Sequence, residues 1–349
     1  MKRLALLGAS HIHTPGFVEV LASRADVSVA AVWDPDPAIA EKYAARLQCR
    51  AATDVATVLG MPDLDAVIVL SQTNRHESLV RQITRANKHC FVEKPLGIGL
   101  ADARNMMQAL EAAGVIFHMG YFNRTIPAHR LLKRLIAQGA FGKISRIRLV
   151  FGTPAAINDV FQSDWRWMTD PRQAGVGAFG DLGTHKLDLL LFLMGDTPRL
   201  EAVTATFSRP IGRYPQGEEC GEAILRFDNG TIATLAASWV DLVEPTSLLI
   251  SGSKGHAVMR NAPGMRQNDW DNELFLLSQS VDGATGKEPW SDLPAPMPRP
   301  LEQFIDAVVH GERSHLVSAR EAAYASYVME VISQAAAERC WLPVDPGVL

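Results

Sequence analysis

The sequence predicts an α/β protein in which a doubly wound parallel sheet is followed by an α+β domain with a mostly antiparallel, open sheet. Its 349 residues are enough for two domains of about 150 residues each. Short apolar runs alternate with helix-like stretches up to about residue 120, whereas longer segments of alternating polarity dominate the rest of the chain. We therefore expect a first domain at 1–122 and a second at 123–349.

The first domain contains short apolar runs typical of strands that are covered on both faces, at residues 4–8, 27–33, 65–70, 89–92 and 115–119. Helical periodicity fills the intervals between them, at residues 37–47, 76–86 and 100–113. Because strand and helix alternate, we expect the strands to run parallel, joined by helical crossovers.

The second domain begins with a predicted helix at 127–138. Alternating segments then predict strands at 144–151, 200–207, 221–227, 231–239 and 246–251. The turn Asp228-Asn229-Gly230 between the third and fourth of these strands indicates a hairpin. Further helices are predicted at 181–194, 301–310 and 319–338. Five prolines in 282–300 predict an irregular connection there.

Composition excludes several classes of protein. The formal net charge of −4 gives no general attraction to nucleic acid or to an anionic membrane, so we expect its partners to be small molecules or other proteins. The four cysteines form no C-x-x-C pair, which argues against a zinc ribbon and fits reduced thiols in the cytoplasm. The opening apolar run is too short for a signal peptide, and no stretch has the ~18 apolar residues of a membrane span.

The loop after the first strand, Gly8-Ala9-Ser10-His11-Ile12-His13, has the position of a Rossmann-type dinucleotide loop. Only the first glycine of G-x-G-x-x-G is present, because Ser10 and His13 occupy the other two positions. Asp34 ends the second strand, where an acidic residue accepts the adenosine ribose hydroxyls and repels a 2′-phosphate. This pattern favours NAD over NADP, although a plain tight turn gives a similar sequence.

His11 and His13 also permit a different interpretation, because two imidazoles at the end of a strand can bind a divalent metal, as in barrel-type metallohydrolases. That site would need another ligand, for which His118 is the ready candidate, and the chain does not continue as eight βα units. Ordinary loop histidines explain the pair better, so no metal site is expected.

Two further motifs carry candidate catalytic residues. Glu93-Lys94-Pro95 follows a strand at the carboxyl edge of the sheet, where open α/β folds bind ligands. In the stretch from Gly180 to Asp188, Asp181 and His185 are one helical turn apart, so they share a face. A carboxylate beside an imidazole favours the imidazolium and suits a general acid or base. Taken singly, Glu93-Lys94-Pro95 could be a surface turn, and a helix cap with a core histidine would explain Asp181 and His185 better than a catalytic pair.

Together, Glu93-Lys94-Pro95 and Gly180-Asp181-x-Gly183-x-His185-x-x-Asp188 resemble the Gfo/Idh/MocA oxidoreductase family over nearly the whole chain. The resemblance implies a catalytic set of Lys94, Asp181 and His185, and a Lys94–Pro95 bond that is cis. The residues implied for cofactor binding are Gly8, Ser10, His11, Ile12, Asp34, Ser71, Asn74, His76, Glu93 and Lys94. Those implied for substrate binding are Asn123, Arg124, Trp165, Arg166, Asp181 and His185. Gln72 departs from the family pattern, which often has proline there.

The resemblance implies hydride transfer between NAD and a hydroxyl or keto carbon of a sugar, cyclitol or other polyol. Two other functions on the same fold stay open: an NAD-dependent glycoside hydrolase and a non-catalytic regulator that binds a dinucleotide. We also expect a homodimer or homotetramer, because Ile224, Leu235 and Ala237 lie on strands with no obvious covering helix.

Overall fold

The chain folds around two β-sheets in a computed structural model that describes residues 1–242, 246–260, 274–281, 284–289 and 293–349. The described strands are β1 (Lys2–Leu7), β2 (Val27–Trp33), β3 (Arg50–Ala51), β4 (Ala66–Val69), β5 (His89–Val92), β6 (Phe117–Met119), β7 (Ile144–Gly152), β8 (Leu200–Ser208), β9 (Cys220–Phe227), β10 (Ile232–Ser238), β11 (Thr246–Gly252), β12 (Gly255–Arg260), β13 (Leu274–Val281), β14 (Ala284–Pro289) and β15 (Leu342–Pro343). The described α-helices are α1 (Thr14–Ser23), α2 (Pro37–Arg46), α3 (Val55–Leu59), α4 (His76–Arg85), α5 (Gly99–Ala113), α6 (Pro127–Ala137), α7 (Pro171–Ala174), α8 (Ala178–Met194), α9 (Pro300–His310) and α10 (Ala319–Glu338).

The first sheet has the order β3-β2-β1-β4-β5-β6, and each neighbouring pair is parallel. This arrangement confirms the doubly wound parallel sheet predicted from the alternation of strands and helices. The sequence did not reveal β3 or α3, because a strand of two residues and a helix of five are too short to show a period.

Both faces of this sheet are covered, as the apolar strands predicted. Leu4 and Leu6 of β1 pack on one face with α1, α2 and α9, while Ala5 and Leu7 pack on the other with α3, α4, α5 and the start of α10. The C-terminal helices therefore return to the first sheet. A division at residue 122 remains a prediction, and the packing of α9 shows that the first core also recruits residues from beyond it.

The second sheet has the order β14-β13-β12-β11-β7-β10-β9-β8-β15. Only the pair of β7 and β10 is parallel among its described neighbours, so the sheet is mostly antiparallel, as predicted. Gly230 has a φ of +85° in the turn that joins β9 to β10. The Asp228-Asn229-Gly230 hairpin is thereby confirmed.

One face of this sheet is covered by α6, α8 and the end of α10. Leu235 and Ala237 point into that core and are buried, so they are not on an open face as the sequence analysis expected. The error arose because α8, which covers them, precedes β10 in the chain by many residues. On the opposite face, Ile224 is 41% exposed and Ile232 is 45% exposed.

The irregular connection predicted for 282–300 is only partly correct. Residues Ala284–Pro289 form β14, which lies at the edge of the second sheet, and Pro289 is its last residue. An edge strand tolerates proline because one side of it makes no ladder hydrogen bonds. Residues 282–283 and 290–292 lie outside the described part, and 293–299 have no helix or strand.

Among the described helices, none combines the length and the apolar character that crossing a membrane requires.

Candidate active site

The loop after β1 passes between the ends of β2 and β4 at the carboxyl edge of the first sheet. Gly8 has a φ of +85°, and a Cβ atom there would lie 2.4 Å from the backbone of Ser71. Asp34 accepts hydrogen bonds from the N–H of Ala9 at 2.7 Å and from that of Asp36 at 2.9 Å. Burial raises the pKa of Asp34, and these hydrogen bonds oppose that effect. The loop thus has the tight turn and the fixed carboxylate of a dinucleotide site.

A cavity of about 500 Å³ opens beside this loop. The residues that line it include Ser10, Asp34, Asp36, Ile39, Gln72 and Trp167. Trp167, from the second domain, donates its indole N–H to the carbonyl of Ser10 at 2.8 Å. Within the described residues, the N–H groups of Ser10, His11 and Ile12 have no protein acceptor. Free N–H groups before a helix suit a phosphate, so the cavity and loop fit the adenosine diphosphate half of a dinucleotide.

Glu93, which follows β5, contacts His13 at the end of the loop after β1. One carboxylate oxygen accepts the N–H of Lys94 at 2.9 Å, and the other lies 3.1 Å from Nδ1 of His13. A Cβ atom at position 120 would lie 2.6 Å from the carboxylate, so Gly120 is required for this arrangement. The His11 ring contacts the His13 ring edge-on at 4.8 Å, and burial lowers the pKa of His11 well below its usual value. The sequence analysis missed both Gly120 and the His13 contact.

His76 supports the turn that carries Lys94. Its Nδ1 lies 3.1 Å from the carbonyl oxygens of both Pro95 and Leu96, and its Nε2 lies 3.2 Å from that of Ser71. Burial lowers the pKa of His76, while the three carbonyls act in the opposite direction. The Lys94–Pro95 bond is cis, as the family resemblance implied. His76 therefore joins the ends of β4 and β5 and supports the turn that carries Lys94.

Lys94 and Asp181 form a buried ion pair between the two domains. Lys94, which follows β5, is 3% exposed, and its Nζ contacts the carboxylate of Asp181 in the first turn of α8. The second carboxylate oxygen of Asp181 accepts the indole N–H of Trp239 at 3.1 Å. Two polar groups thus fix the Asp181 carboxylate. Nothing in the spacing of the motifs had identified Trp239, which follows β10.

His185 lies one helical turn beyond Asp181 on α8. Its ring packs against Phe122 at 4.7 Å, its carbonyl accepts the side-chain N–H of Asn123 at 3.2 Å, and its buried Nδ1 has no hydrogen-bond partner among the described residues. Burial, with a smaller contribution from the positive charge of Lys94, holds the pKa of His185 well below its usual value. A neutral imidazole with an unused nitrogen can accept a proton.

This geometry corrects the expectation that Asp181 stabilises a protonated His185. The Asp181 carboxylate binds Lys94 and Trp239, which come from elements distant in the sequence. The helical spacing correctly brings Asp181 and His185 to one region of α8. The spacing cannot reveal that two hydrogen-bond donors from outside α8 bind the Asp181 carboxylate. Burial then lowers the pKa of the His185 imidazole.

A half-buried glutamate, Glu218, caps the first turn of α8, and no motif in the sequence had pointed to it. One carboxylate oxygen of Glu218 accepts the N–H groups of Gly177, Phe179 and Gly180 at 2.8, 3.1 and 3.3 Å, and the Glu218 carbonyl accepts that of Ala178 at 2.9 Å. These are the N–H groups that a helix leaves without partners. Gly177 has no side chain with which to cap them, so Glu218 supplies the acceptor from just before β9.

Asn123 and Arg124 contact different residues of α8. Besides holding the His185 carbonyl, Asn123 has a buried side-chain oxygen with no partner in the described structure. Arg124 instead makes hydrogen bonds of 2.7–3.1 Å to Asp188 and one of 2.6 Å to Glu321. Asp188 is 1% exposed, so Arg124 neutralises a buried carboxylate. This structural role differs from the substrate contact expected of Arg124.

Trp165, Arg166 and Asn74, three further predicted residues, have known contacts among the described residues. Trp165 packs against the edge of the second core, and the guanidinium of Arg166 donates to the side chain of Gln162 at 3.0 Å. Asn74 donates to the carbonyl of Arg172 at 3.1 Å on the surface. Trp165 and Arg166 belong to the segment that closes the cavity beside Ser10 and Asp34 through Trp167. Trp165 and Arg166 thus stand next to Trp167, which lines that cavity, and their contact with a substrate stays a prediction.

Comparison with known proteins gives matches in both domains. Residues 2–121 match the family model described as "Oxidoreductase family, NAD-binding Rossmann fold", and residues 129–258 match the "GFO/IDH/MocA C-terminal domain". The 1,5-anhydro-D-fructose reductase of Ensifer adhaerens is 31% identical over 61% of this chain and 62% of its own length. The myo-inositol 2-dehydrogenase of Thermotoga maritima is 30% identical over 53% of each chain. Each of these two alignments covers less than two thirds of the relative's own length.

A similar fold is present in a solved structure of levoglucosan dehydrogenase in complex with NADH and L-sorbose. It superposes with a TM-score of 0.80 at 20% sequence identity and covers 99% of both chains. The two family models match in the order of the two sheets and together span most of the chain. The chain belongs to the Gfo/Idh/MocA family of oxidoreductases, with a Rossmann domain of the NAD-binding type followed by the family's C-terminal domain.

Proposed function

We propose that the protein is an NAD-dependent oxidoreductase that interconverts a hydroxyl and a keto group on a sugar, cyclitol or related polyol. The observation that carries this proposal is the buried Lys94–Asp181 ion pair beside a neutral His185, at the sheet edge that also holds the dinucleotide loop. The dehydrogenases and reductases among the relatives act on substrates of this class, according to their names.

His185 is the proposed base in the oxidative direction. Its lowered pKa keeps the imidazole unprotonated at neutral pH, so it can take the proton of a substrate hydroxyl. Lys94 donates a hydrogen bond to the same oxygen and stabilises the negative charge that develops there. Asp181 and Trp239 hold Lys94 in position, because the ion pair fixes Nζ and the indole fixes the carboxylate. NAD, when bound, supplies the acceptor for the hydride.

The cofactor is held in this proposal by the loop after β1 and by two carboxylates. Ser10 and its neighbours offer backbone N–H groups to the phosphates, Asp34 accepts the hydroxyls of the adenosine ribose, and Glu93 accepts those of the other ribose. Asp34 also disfavours NADP, because its carboxylate would repel a 2′-phosphate. In this proposal Asn123 and His185 lie on the substrate side, and each has a buried polar atom without a partner among the described residues.

Two measurements test the proposal. Titration with NADH and NADPH, followed by tryptophan fluorescence, is expected to give tight binding that favours NADH. A screen of sugars, cyclitols and polyols with NAD is then expected to give NADH and a keto product in equal amounts. Failure to bind either nucleotide would refute the cofactor assignment. Release of a free sugar from a glycoside without net NADH would instead favour the NAD-dependent glycoside hydrolase.

The protein is further proposed to form a homodimer or homotetramer through the open face of the second sheet. The support is Ile224 and Ile232, which are exposed on neighbouring strands. Charged replacements at both positions, I224E/I232E, are expected to yield monomers in multi-angle light scattering, whereas T234S is the matched control on the same strand pair. A wild type that is monomeric at micromolar concentration would refute the proposal.

A cytoplasmic location is proposed because the four cysteines, Cys49, Cys90, Cys220 and Cys340, are free thiols. Fractionation of cells that express the chain from its own gene would test this proposal.

A further inference from the structure

The loop after β1 gathers three groups that commonly bind metals. His11, His13 and Glu93 each offer one ligand atom, and all three atoms lie within 4.8 Å of one another. The histidines come from the loop after β1 and the glutamate follows β5, so the sheet edge brings them together. His13 stands where a standard dinucleotide loop has its third glycine, and that glycine could not supply a ligand.

The chemistry of this set matches a transition-metal ion. Two imidazoles and one carboxylate are the protein ligands of several zinc centres that keep an open position, and Mg²⁺ prefers a shell of oxygen atoms. We propose that His11, His13 and Glu93 form a binding site for Zn²⁺, and that occupation of this site excludes the nicotinamide end of the cofactor. The exclusion rests on the function proposed above, in which Glu93 holds the ribose at that end.

The side chains can converge on an ion with small movements. Zinc ligands lie about 2.0–2.2 Å from the metal, so three ligand atoms must approach within roughly 3.5 Å of one another. His13 Nδ1 and Glu93 Oε1 are already 3.1 Å apart. The side chain of His13 is 31% exposed, which leaves it room to turn toward His11. Among the three ligand atoms, therefore, only the distances that approach 4.8 Å have to decrease, by about 1 Å.

Binding has an identifiable cost. Nδ1 of His11 accepts the N–H of His13 at 3.2 Å. A metal-bound imidazole keeps a proton on its other nitrogen, so this long hydrogen bond is lost whichever nitrogen binds the ion. The bond from the Lys94 N–H to Glu93 can persist, because it uses the carboxylate oxygen that does not face His13.

Calorimetric titration of the untagged, cofactor-free full chain with ZnCl₂ tests the site directly. We expect one Zn²⁺ per chain, no response to MgCl₂, and at least tenfold weaker zinc binding in H13G. H13Q, which keeps a side chain that can bond to Glu93, is expected to behave like H13G and guards against a folding defect in the glycine variant. H315A removes an exposed histidine outside the cluster and should leave zinc binding unchanged. Equal zinc affinity in the wild type and both His13 variants, or no stoichiometric binding, would overturn the proposal.

Competition with the cofactor is measured separately. With free Zn²⁺ at ten times its own Kd, mutually exclusive binding raises the apparent Kd for NADH about 11-fold. At the same zinc concentration the apparent Kd of H13G for NADH should rise about twofold or less, because zinc binds that variant at least tenfold more weakly. Simultaneous binding of zinc and NADH without mutual effect would refute the exclusion. If zinc binds as expected and neither nucleotide binds at all, the zinc site stands and the proposed oxidoreductase function fails.

Discussion

Replacing Glu218 tests whether a residue outside α8 sets the geometry of the proposed catalytic helix. The change E218A removes the oxygen that accepts the N–H groups of Gly177, Phe179 and Gly180. Asp181 is the next residue along the helix, and His185 follows one turn later. A first turn without its cap is therefore expected to disturb the Lys94–Asp181 pair before it disturbs the rest of the fold.

The expected loss of stability follows from those three contacts. An unsatisfied buried donor costs about 1–3 kcal/mol, whereas removal of a helix N-cap costs about 0.5–2 kcal/mol. The three N–H groups share one oxygen, and water can enter the space that alanine leaves. We therefore expect E218A to lower the free energy of unfolding by about 2–4 kcal/mol. E218Q retains an oxygen at the same position and should lose about 1 kcal/mol or less.

Glu219 provides a matched control. It is the adjacent residue, it is buried, and its carboxylate accepts the N–H groups of Ile211, Gly212 and Arg213 at 2.6–3.0 Å. E219A should cost comparable stability but disturb a loop far along the chain from α8. Urea unfolding and steady-state kinetics of E218A, E218Q and E219A would separate the two effects. A free energy of unfolding for E218A within about 0.5 kcal/mol of the wild-type value, or an equal loss of kcat in both alanine variants, would refute the role assigned to Glu218.

The same variants predict a pH dependence. Burial raises the pKa of Glu218 above its usual value of 4.5, so the folded state binds its proton more tightly than the unfolded state does. The contribution of Glu218 to the free energy of unfolding is therefore fully present below about pH 4.5, and it declines as the pH rises through the raised pKa. The difference in unfolding free energy between the wild type and E218Q should shrink over that interval. A difference that grows with pH would contradict the assigned direction.

Three other substitutions test individual assignments. H185A should lower kcat by about 10²–10⁴-fold and leave the Kd for NADH within twofold, so equal turnover would rule out its role as the base. D34A should weaken NADH binding and narrow the preference over NADPH in fluorescence titrations, whereas an unchanged ratio would remove Asp34 from the ribose site. R124L should destabilise the fold by about 3–5 kcal/mol, because it leaves Asp188 buried and unpaired, and the KM of active protein should change little. A large rise in KM without loss of stability would instead support a substrate contact.

Elements with a strong local signal were predicted well from the sequence. The helix predicted at 319–338 coincides with α10, whose Ser318 accepts the N–H of Glu321 while the Glu321 side chain accepts that of Ser318. The sequence pattern of this capping box is a serine followed three residues later by a glutamate. Gly114 ends α5 in a left-handed conformation for a comparable local reason. Where nearby residues determine an element, its boundaries can be read from the chain.

Pairings between distant residues could not be predicted in the same way. Spacing indicated that Asp181 and His185 share a helical face, but Lys94 and Trp239 reach Asp181 from β5 and β10. Arg124 matched a position expected to contact substrate, yet it neutralises Asp188. The partner that each of these side chains binds depends on which charged or polar group the fold brings closest to it. Sequence periodicity contains no information about distances between residues far apart in the chain.

The departure of the loop from G-x-G-x-x-G has a similar explanation. Sequence alone showed that Ser10 and His13 stand where the motif has its second and third glycines. In the structure, α1 begins at Thr14 and the His13 side chain turns to Glu93, so the loop accommodates the ring without a clash. The substitution adds an imidazole next to the proposed ribose site, and this consequence appears only when β5 is seen beside β1.

The first turn of α8 therefore depends on the packing of both domains. Lys94 comes from the first sheet, Trp239 and Glu218 come from the second, and all three converge on residues 177–181. Each of these groups would leave a buried charge or an unpaired donor if its partner moved away. Separation of the domains is thus costly at the point where the proposed chemistry takes place. Because three distant segments cap and pair the first turn of α8, we expect this turn to hold His185 at a fixed distance from the substrate hydroxyl.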